Sequence, residues 1–294
     1  MDTSLLVGKV ALVTGTGPNI GSGLALMLAK YGARVACNDI GAEAANAAVK
    51  RIERNGGTAM AVLGDVSDED QVKEYIQKVL DAWGKIDILI NNAGRTLGGG
   101  SVLNCELDNW KSQLAVTCTG NFLNTKHVAR SMIERGIKGS IVCIASTGGW
   151  QGQEANIAYD TVKGGVINFV RAAAMDLAPY AIRVNSFTPT ATQIDNPELL
   201  AERRAAGLGA VQPGGTGGRR LGTYDFAGMV PLGEQPTPTD YGHVVAFLCS
   251  DYARLITGAD YRVDGGALAK YWPYTPPTEK AGPLPLIKID VTEV

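Results

Sequence analysis

The sequence predicts a single α/β domain, built on a doubly wound parallel sheet of about seven strands with helices on both faces. Short apolar runs alternate along the chain with longer amphipathic segments, which is the pattern of repeated strand–helix–strand units. Most of the short runs are apolar almost throughout, as in strands that are buried on both faces of a sheet. The predicted strands are residues 10–15, 34–39, 59–66, 87–94, 140–146, 182–187 and 260–266.

The amphipathic segments between these strands have the length and the start signals of helices. Ser67, for example, is followed by three acidic residues, and acidic side chains in a first turn favour the positive end of a helix dipole. The predicted helices include residues 42–55, 68–83, 108–136 and 159–180.

One domain accounts for residues 1–272, but two stretches depart from the strand–helix rhythm. The Gly-rich segment at about 190–230 has little periodicity, and a connection of this length is typical of a lid over a binding site. The arginines of this segment either clamp an anionic or bulky ligand or lie in solvent on a mobile loop. They are Arg203, Arg204, Arg219 and Arg220. Residues 273–294 are Pro-rich and predict an extended C-terminal tail.

The composition argues against several classes of function. The chain has 294 residues, 45% of them hydrophobic, and a net charge of -2, so a nucleic-acid partner is not expected. No run reaches the ~18–20 apolar residues of a membrane span, and the first residues lack the basic region of a signal peptide. The 5 cysteines form no C-x-x-C pair and only 2 histidines are present, which argues against a metal site. We therefore expect a cytoplasmic protein with reduced thiols and no membrane partner.

The stretch TGTGPNIGSG, residues 14–23, follows the first predicted strand and opens the first helix. It matches neither G-x-G-x-x-G nor G-x-x-x-x-G-K-[ST]. Its position is nevertheless where a doubly wound sheet presents helix N–H groups to a phosphate. Asp39 ends the second strand, where a carboxylate accepts hydrogen bonds from ribose hydroxyls and repels a 2′-phosphate. These residues indicate NAD binding, and the alternative is a Gly-rich turn with an incidental Asp.

Several motifs resemble those of the classical short-chain dehydrogenase/reductase family, over Gly8 to about Gly266. Aligned on Thr14, the chain has T-G-T-G-P-N-I-G where the family has T-G-x-x-x-G-x-G, so Asn19 replaces a glycine. Because Asn tolerates a left-handed backbone, we expect the turn to survive. The further marks are Asp65-Val66 after the third strand, NNAG at 91–94 and VDGG at 263–266.

The resemblance implies a Rossmann-type fold, a homotetramer, NAD as cofactor and a small-molecule alcohol or ketone as substrate. It also implies which residues of this chain contact the cofactor. They are Gly15, Asn19, Ile20, Gly21, Asp39, Ile40, Asp65, Val66, Asn92, Ala93, Gly94, Tyr159, Lys163 and Thr192.

The catalytic Ser, Tyr and Lys of the family correspond to Ser146, Tyr159 and Lys163. Tyr159 and Lys163 are one helical turn apart and so share a face. A free tyrosine has a pKa of ~10 and is a poor base at neutral pH, but a nearby ammonium favours the phenolate. Tyr159 is thus expected to act as general base or acid, Lys163 to supply positive charge and Ser146 to bond the substrate oxygen.

The family's fourth catalytic residue is an Asn that holds a water in a proton relay. Thr117, in V-T-C-T-G-N-F, takes its place here, and its hydroxyl is expected to hold that water. Asn121, one turn along the helix, is the alternative.

The expected substrate contacts are Ser146, Tyr159, Trp150 as an apolar wall and Gln153 as a polar contact, with Gln151 and Glu154 as alternatives to Gln153. Trp150 would equally suit a subunit contact. Three rival functions remain open. One is an NADPH-dependent carbonyl or 3-oxoacyl reductase, which Asp39 opposes. Another is a nucleotide sensor without turnover, suggested by Asn19 and Thr117. The last is an isomerase or epimerase that shares the Tyr–Lys pair.

Overall fold

The computed structural model describes residues 4–95, 99–196, 200–201 and 230–270. Seven parallel strands form one sheet with the order β3-β2-β1-β4-β5-β6-β7, which confirms the predicted fold. The strands are β1 (Val10–Thr14), β2 (Arg34–Asp39), β3 (Thr58–Leu63), β4 (Ile88–Asn91), β5 (Ser140–Ile144), β6 (Arg183–Pro189) and β7 (Asp260–Val263). Several predicted strands ran further at the carboxyl end, where the chain in fact leaves the sheet and forms the loops of the site.

The helices connect successive strands and cover both faces of the sheet. They are α1 (Ile20–Lys30), α2 (Ala42–Glu53), α3 (Glu69–Trp83), α4 (Leu107–Gln113), α5 (Gly120–Glu134), α6 (Ile157–Leu177) and α7 (Pro238–Cys249). The single helix predicted over 108–136 was wrong in one respect, because a π-helical segment, Leu114–Thr119, separates α4 from α5. Helix α7 was not among the predicted helices.

Two hydrophobic cores lie on opposite faces of the sheet. Alternation along β1 shows how the sequence fills both: Ala11 and Val13 face the core formed with α1, α2 and α7. Val10 and Leu12 face the core formed with α3, α5 and α6. Burial of β1 on both sides explains its uninterrupted apolar sequence. Within the described ranges, no helix is long and apolar enough to cross a membrane.

The strand order reverses between β1 and β4, and this topological switch point leaves a crevice at the carboxyl ends of the two strands. Thr14 joins the two strands there. Its hydroxyl accepts hydrogen bonds from the backbone N–H of Asn92 (3.1 Å) and Ala93 (3.2 Å) and donates one to the carbonyl of Ile90 (3.3 Å). This buried side chain therefore helps to fix the loop after β4 against the end of β1.

All of the predicted tail and most of the predicted lid lie outside the described residues. The same holds for the four arginines assigned to the lid, which are Arg203, Arg204, Arg219 and Arg220.

We predict that Thr14→Val lowers the free energy of unfolding by about 2 kcal/mol. Valine has the same shape but leaves two backbone N–H groups without their acceptor. Urea denaturation with an unchanged m-value would measure this loss. Thr161→Val is the matched control, because its exposed hydroxyl bonds only the carbonyl of Ile157 within α6, and its effect should stay within about 0.5 kcal/mol. Equal effects of the two substitutions would contradict the assigned role of Thr14.

Candidate functional site

The glycines of the loop after β1 allow a close approach of backbones. Gly15 has a φ of +66°, and a methyl group there would lie 2.7 Å from Cα of Ala93. A methyl group on Gly21 would lie 2.1 Å from the carbonyl oxygen of Gly15, and one on Gly23 would lie 2.2 Å from Cβ of Pro238. Side chains are excluded at these three positions. The loop leads into the N-terminus of α1, whose first N–H groups have no acceptor within the helix.

Asn19 precedes α1 with φ -111° and ψ -120°. The left-handed conformation that Asn tolerates is therefore not used here, and the turn into α1 forms with a negative φ at this residue. The buried side-chain oxygen Oδ1 of Asn19 has no hydrogen-bond partner among the residues that the structure describes.

A cavity of about 370 Å³ opens beside this loop at the carboxyl edge of β1, β2 and β4. Half of the predicted cofactor residues line it: Gly15, Asp39, Ile40, Asp65, Val66, Ala93 and Gly94. Sequence reasoning missed the remaining lining residues, which are Asn38, Gly64, Arg95 and Val116. All four adjoin a predicted site residue in the chain. Asn38, Gly64 and Arg95 do so at the ends of strands, and Val116 does so next to Thr117 in the π-helical segment.

Two carboxylates give the cavity wall its charge. Oδ1 of Asp39 accepts a hydrogen bond from the backbone N–H of Gly41 at 3.0 Å. Oδ1 of Asp65 accepts hydrogen bonds from the N–H and the hydroxyl of Ser67, at 2.8 and 2.7 Å. Arg95 is the cation among the described lining residues, and its guanidinium donates to the hydroxyl of Ser112 at 2.7 Å. The side of the cavity next to β2 is therefore acidic.

The side chain of Asn92 bonds the glycine loop itself. Its amide Nδ2 donates to the carbonyls of Thr14 (3.1 Å) and Gly15 (2.7 Å). Asn92 thus holds the loop in place, and its direct contact with a cofactor stays a prediction.

A tight turn brings the three predicted catalytic residues together. Ser146 caps the short 3-10 turn Thr147–Gly149, and its Oγ accepts a hydrogen bond from the N–H of Gly148 at 3.2 Å. A methyl group on Gly148 would lie 3.3 Å from the Tyr159 ring, and one on Gly149 would lie 2.7 Å from the Lys163 backbone. The two glycines let the turn pack directly on the first turns of α6, where Ser146 is close enough to the Tyr159 hydroxyl to lower its pKa.

Lys163 is buried beneath this turn. Its Nζ donates to the carbonyl of Ile144, the last residue of β5, at 2.8 Å, and lies 5.7 Å from the centre of the Tyr159 ring. A methyl group on Gly94 would lie 3.8 Å from the same Nζ. The ammonium therefore lies between Tyr159 and the loop that lines the cavity.

Burial shifts both titratable groups of this cluster. It raises the pKa of Tyr159, the carboxylate of Asp160 raises it as well, and the hydrogen bond with Ser146 lowers it. Burial lowers the pKa of Lys163 to about 8, with Cys143 and Cys118 acting in the opposite direction. In the protein alone, the phenol is thus protonated at neutral pH while Lys163 is still largely charged. Formation of a phenolate needs further positive charge near Tyr159.

Thr117 lies in the π-helical segment and faces Gly94. Its buried Oγ1 is 3.7 Å from the methyl position of Gly94, close to the 3.8 Å of Lys163 Nζ. The hydroxyl has no hydrogen-bond partner among the described residues. This position suits the predicted water relay, which remains a prediction.

In three of the residues predicted to contact substrate or cofactor, the polar groups form hydrogen bonds within the protein. The Trp150 indole N–H donates to Asp260 of β7 at 2.9 Å, with the Arg262 guanidinium 4.4 Å from the ring. The side-chain oxygen of Gln153 accepts from Asn156 at 2.8 Å. The Thr192 hydroxyl bonds the carbonyl of Thr190 (2.9 Å) and the hydroxyl of Tyr241 (3.0 Å). Their contacts with substrate or cofactor stay predictions.

Comparisons with known proteins agree over nearly the whole chain. The family model described as enoyl-(acyl carrier protein) reductase matches residues 15–267. The uncharacterized oxidoreductase YxbG of Bacillus subtilis is 35% identical, over 91% of this chain and 94% of the relative.

Two solved structures are similar in sequence and in fold. The 3-ketoacyl-(acyl-carrier-protein) reductase from Brucella melitensis, complexed with NADH, is 32% identical with a TM-score of 0.75. An NAD+-bound xylitol dehydrogenase is 34% identical with a TM-score of 0.77. Each comparison covers 89% of this chain and 99% of the other.

Ala155, just before α6, has a φ of +58°, a backbone conformation that costs an alanine roughly 1–2 kcal/mol. The chain is held there because the Ala155 carbonyl accepts a hydrogen bond from the N–H of Gly100 at 2.7 Å. We predict that Ala155→Gly raises the free energy of unfolding by about 0.5–1 kcal/mol, after allowance for the greater freedom of unfolded glycine. The control Ala47→Gly, on the exposed face of α2, should lower it by about 1 kcal/mol. A decrease in both variants by denaturant titration would argue against strain at Ala155.

Proposed function

We propose that this chain, which belongs to the classical short-chain dehydrogenase/reductase family of oxidoreductases, interconverts a secondary alcohol and a ketone with NAD(H). The observation that carries the proposal is the convergence of Ser146, Tyr159 and Lys163 at the carboxyl edge of the sheet, beside the acidic cavity lined by Asp39. A homotetramer and a cytoplasmic location belong to the same proposal.

The residues present fit a dinucleotide. Gly15 and Gly21 keep side chains out of the space where the loop meets the N-terminus of α1, which suits a pyrophosphate. Asp39 and Asp65 line the cavity on the side of β2, where an adenosine and its ribose would bind. The bound nicotinamide would exchange a hydride with the carbon that bears the substrate oxygen. Lys163 would hold the nicotinamide ribose.

Each catalytic side chain has a task that its surroundings support. The Ser146 hydroxyl donates a hydrogen bond to the substrate oxygen as negative charge develops on it. Tyr159 gives its phenolic proton to that oxygen in ketone reduction and takes it back in alcohol oxidation. The charge of Lys163 favours the phenolate once it forms. Because burial and Asp160 raise the pKa of Tyr159, the acid form prevails at neutral pH, which suits the reductive direction.

The preference for NAD over NADP rests on charge. Asp39 lies at the end of β2 and lines the cavity, and one of its carboxylate oxygens accepts a hydrogen bond from the N–H of Gly41. Among the hydrogen bonds and ion pairs of the described residues, no cation is paired with this carboxylate. A 2′-phosphate near this carboxylate would be repelled. The rival NADPH-dependent 3-oxoacyl reductase is opposed by this arrangement. A 3-ketoacyl reductase that uses NADH would be compatible with the Asp39 carboxylate.

Nucleotide sensing without turnover is the second candidate function. The replacements at Asn19 and Thr117 favour it, because both depart from the family motifs. Sensing predicts NAD binding with no change in absorbance of the reduced nicotinamide on any alcohol or ketone.

We predict that Tyr159→Phe lowers turnover by about 10²–10⁴-fold, because the reaction loses its proton donor and acceptor. The dissociation constant for NAD should change by less than about threefold, since the ring remains. Absorbance at the reduced-nicotinamide band measures the first quantity and calorimetry the second. Tyr252→Phe, at an exposed tyrosine, is the control and should leave both unchanged. Undiminished turnover in Tyr159→Phe would remove Tyr159 from the mechanism.

We predict that Asp39→Ser shifts the ratio of NAD to NADP affinity by tenfold or more toward NADP. The reason is the loss of repulsion against the 2′-phosphate together with the loss of an acceptor for the ribose hydroxyls. Calorimetric titration with each dinucleotide gives the ratio. Asp176→Ser, on the exposed end of α6, makes the same change in net charge and should not alter it. If both variants keep the wild-type ratio, another residue selects the cofactor.

A further inference from the structure

The carboxylate of Asp195 bonds the loop after β6 directly to α7 and α2, and through Arg51 to α1. Its Oδ2 accepts hydrogen bonds from the N–H (3.0 Å) and the hydroxyl of Thr239, in the first turn of α7. Its Oδ1 lies 3.3 Å from Nη2 of Arg51 on α2. Nη1 of Arg51 in turn donates to the hydroxyl of Ser22 in α1, also at 3.3 Å. The loop after β6 is thereby bonded to α7, α2 and α1.

The ion pair at the centre of this network is largely removed from solvent. The side chains of Arg51 and Asp195 are 15% and 16% exposed. Exposed pairs such as Lys73–Asp70 are screened by water and salt, whereas a desolvated pair depends on both of its members. Loss of Asp195 would leave the Arg51 guanidinium without its carboxylate partner and the N–H and hydroxyl of Thr239 without their acceptor.

The segment fixed in this way carries a predicted cofactor contact. Thr192, three residues before Asp195, is bonded to Tyr241 of α7 at 3.0 Å. Between them, the N–H of Gln193 donates to the carbonyl of Pro236 at 2.9 Å. Helix α7 itself packs against Gly23 of α1, immediately after the phosphate loop. The bonds of Thr192 and Asp195 to α7 therefore fix residues 190–195 relative to that loop.

We propose that Asp195 is a positioning residue for the dinucleotide, which holds the segment bearing Thr192 at a fixed place relative to the first turn of α1. This proposal rests on the proposed function, because it takes Thr192 and the loop of α1 to contact opposite ends of one cofactor. Asp195 acts through Thr239 and Arg51 and does not itself touch the ligand. Its removal would let Thr192 move away from a cofactor whose phosphates stay bound.

The test compares Asp195→Asn, Arg51→Gln and the double variant with Asp70→Asn as the control. Calorimetry should show a dissociation constant for NAD about tenfold higher in Asp195→Asn and raised in Arg51→Gln. The double variant should resemble the worse single variant, because both remove the same connection. Asp70→Asn should bind NAD as the wild type does. A purely structural role would lower the melting temperature of Asp195→Asn and leave its NAD affinity unchanged, which would overturn the proposal.

Hydrogen exchange on the protein without cofactor provides an independent measurement. The amide of Gln193, which donates to the carbonyl of Pro236, should exchange faster in Asp195→Asn than in the wild type, and Thr239→Val should give a smaller change in the same direction. Unchanged exchange would overturn the proposal even if affinity fell. If the wild type binds neither NAD nor NADP, the proposed function fails, while exchange still decides whether Asp195 fixes this segment.

Discussion

The hydrogen bonds that join the carboxyl ends of β1 and β4 are the constraint on which the rest of the site depends. Thr14 accepts from two backbone N–H groups after β4, and Asn92 returns two hydrogen bonds to the carbonyls of Thr14 and Gly15. This reciprocal bonding is possible because Gly15 has no side chain to separate the two backbones. The crevice at the switch point is thus built mainly from backbone groups, and the acidic cavity opens from it.

The catalytic cluster depends on a second close approach of backbones. Gly148 and Gly149 let the turn after β5 rest on α6, which brings Ser146 to Tyr159 and covers Lys163. The resulting burial has an electrostatic consequence, because it raises the pKa of Tyr159 and lowers that of Lys163 to about 8. The protein alone therefore keeps the phenol protonated. In the proposed mechanism, the remaining positive charge comes with the oxidised cofactor.

The sequence was sufficient to predict the parallel sheet, because strands buried on both faces have long apolar runs, and to place Ser146, Tyr159 and Lys163 together. It did not predict the π-helical segment around Thr117, because the i to i+5 bonding of a π-helix leaves no periodicity of its own in six residues. The negative φ of Asn19 was not predicted, since residue type alone does not fix φ. The hydrogen bond from the Trp150 N–H to Asp260, which is 110 residues away in the chain, was not predicted either. Pairings over such separations follow from the strand order and have no local signal.

Selective binding of NAD and transfer of a hydride by the wild-type protein are the two properties on which the proposed function depends. The most direct measurement is calorimetry with NAD and NADP, followed in the same sample by absorbance at the reduced-nicotinamide band with a panel of secondary alcohols. We predict tighter binding of NAD and a rise in absorbance with at least one alcohol. Selective binding of NADP would contradict the role of Asp39, and NAD binding without any absorbance change across a broad panel would contradict the proposed dehydrogenase.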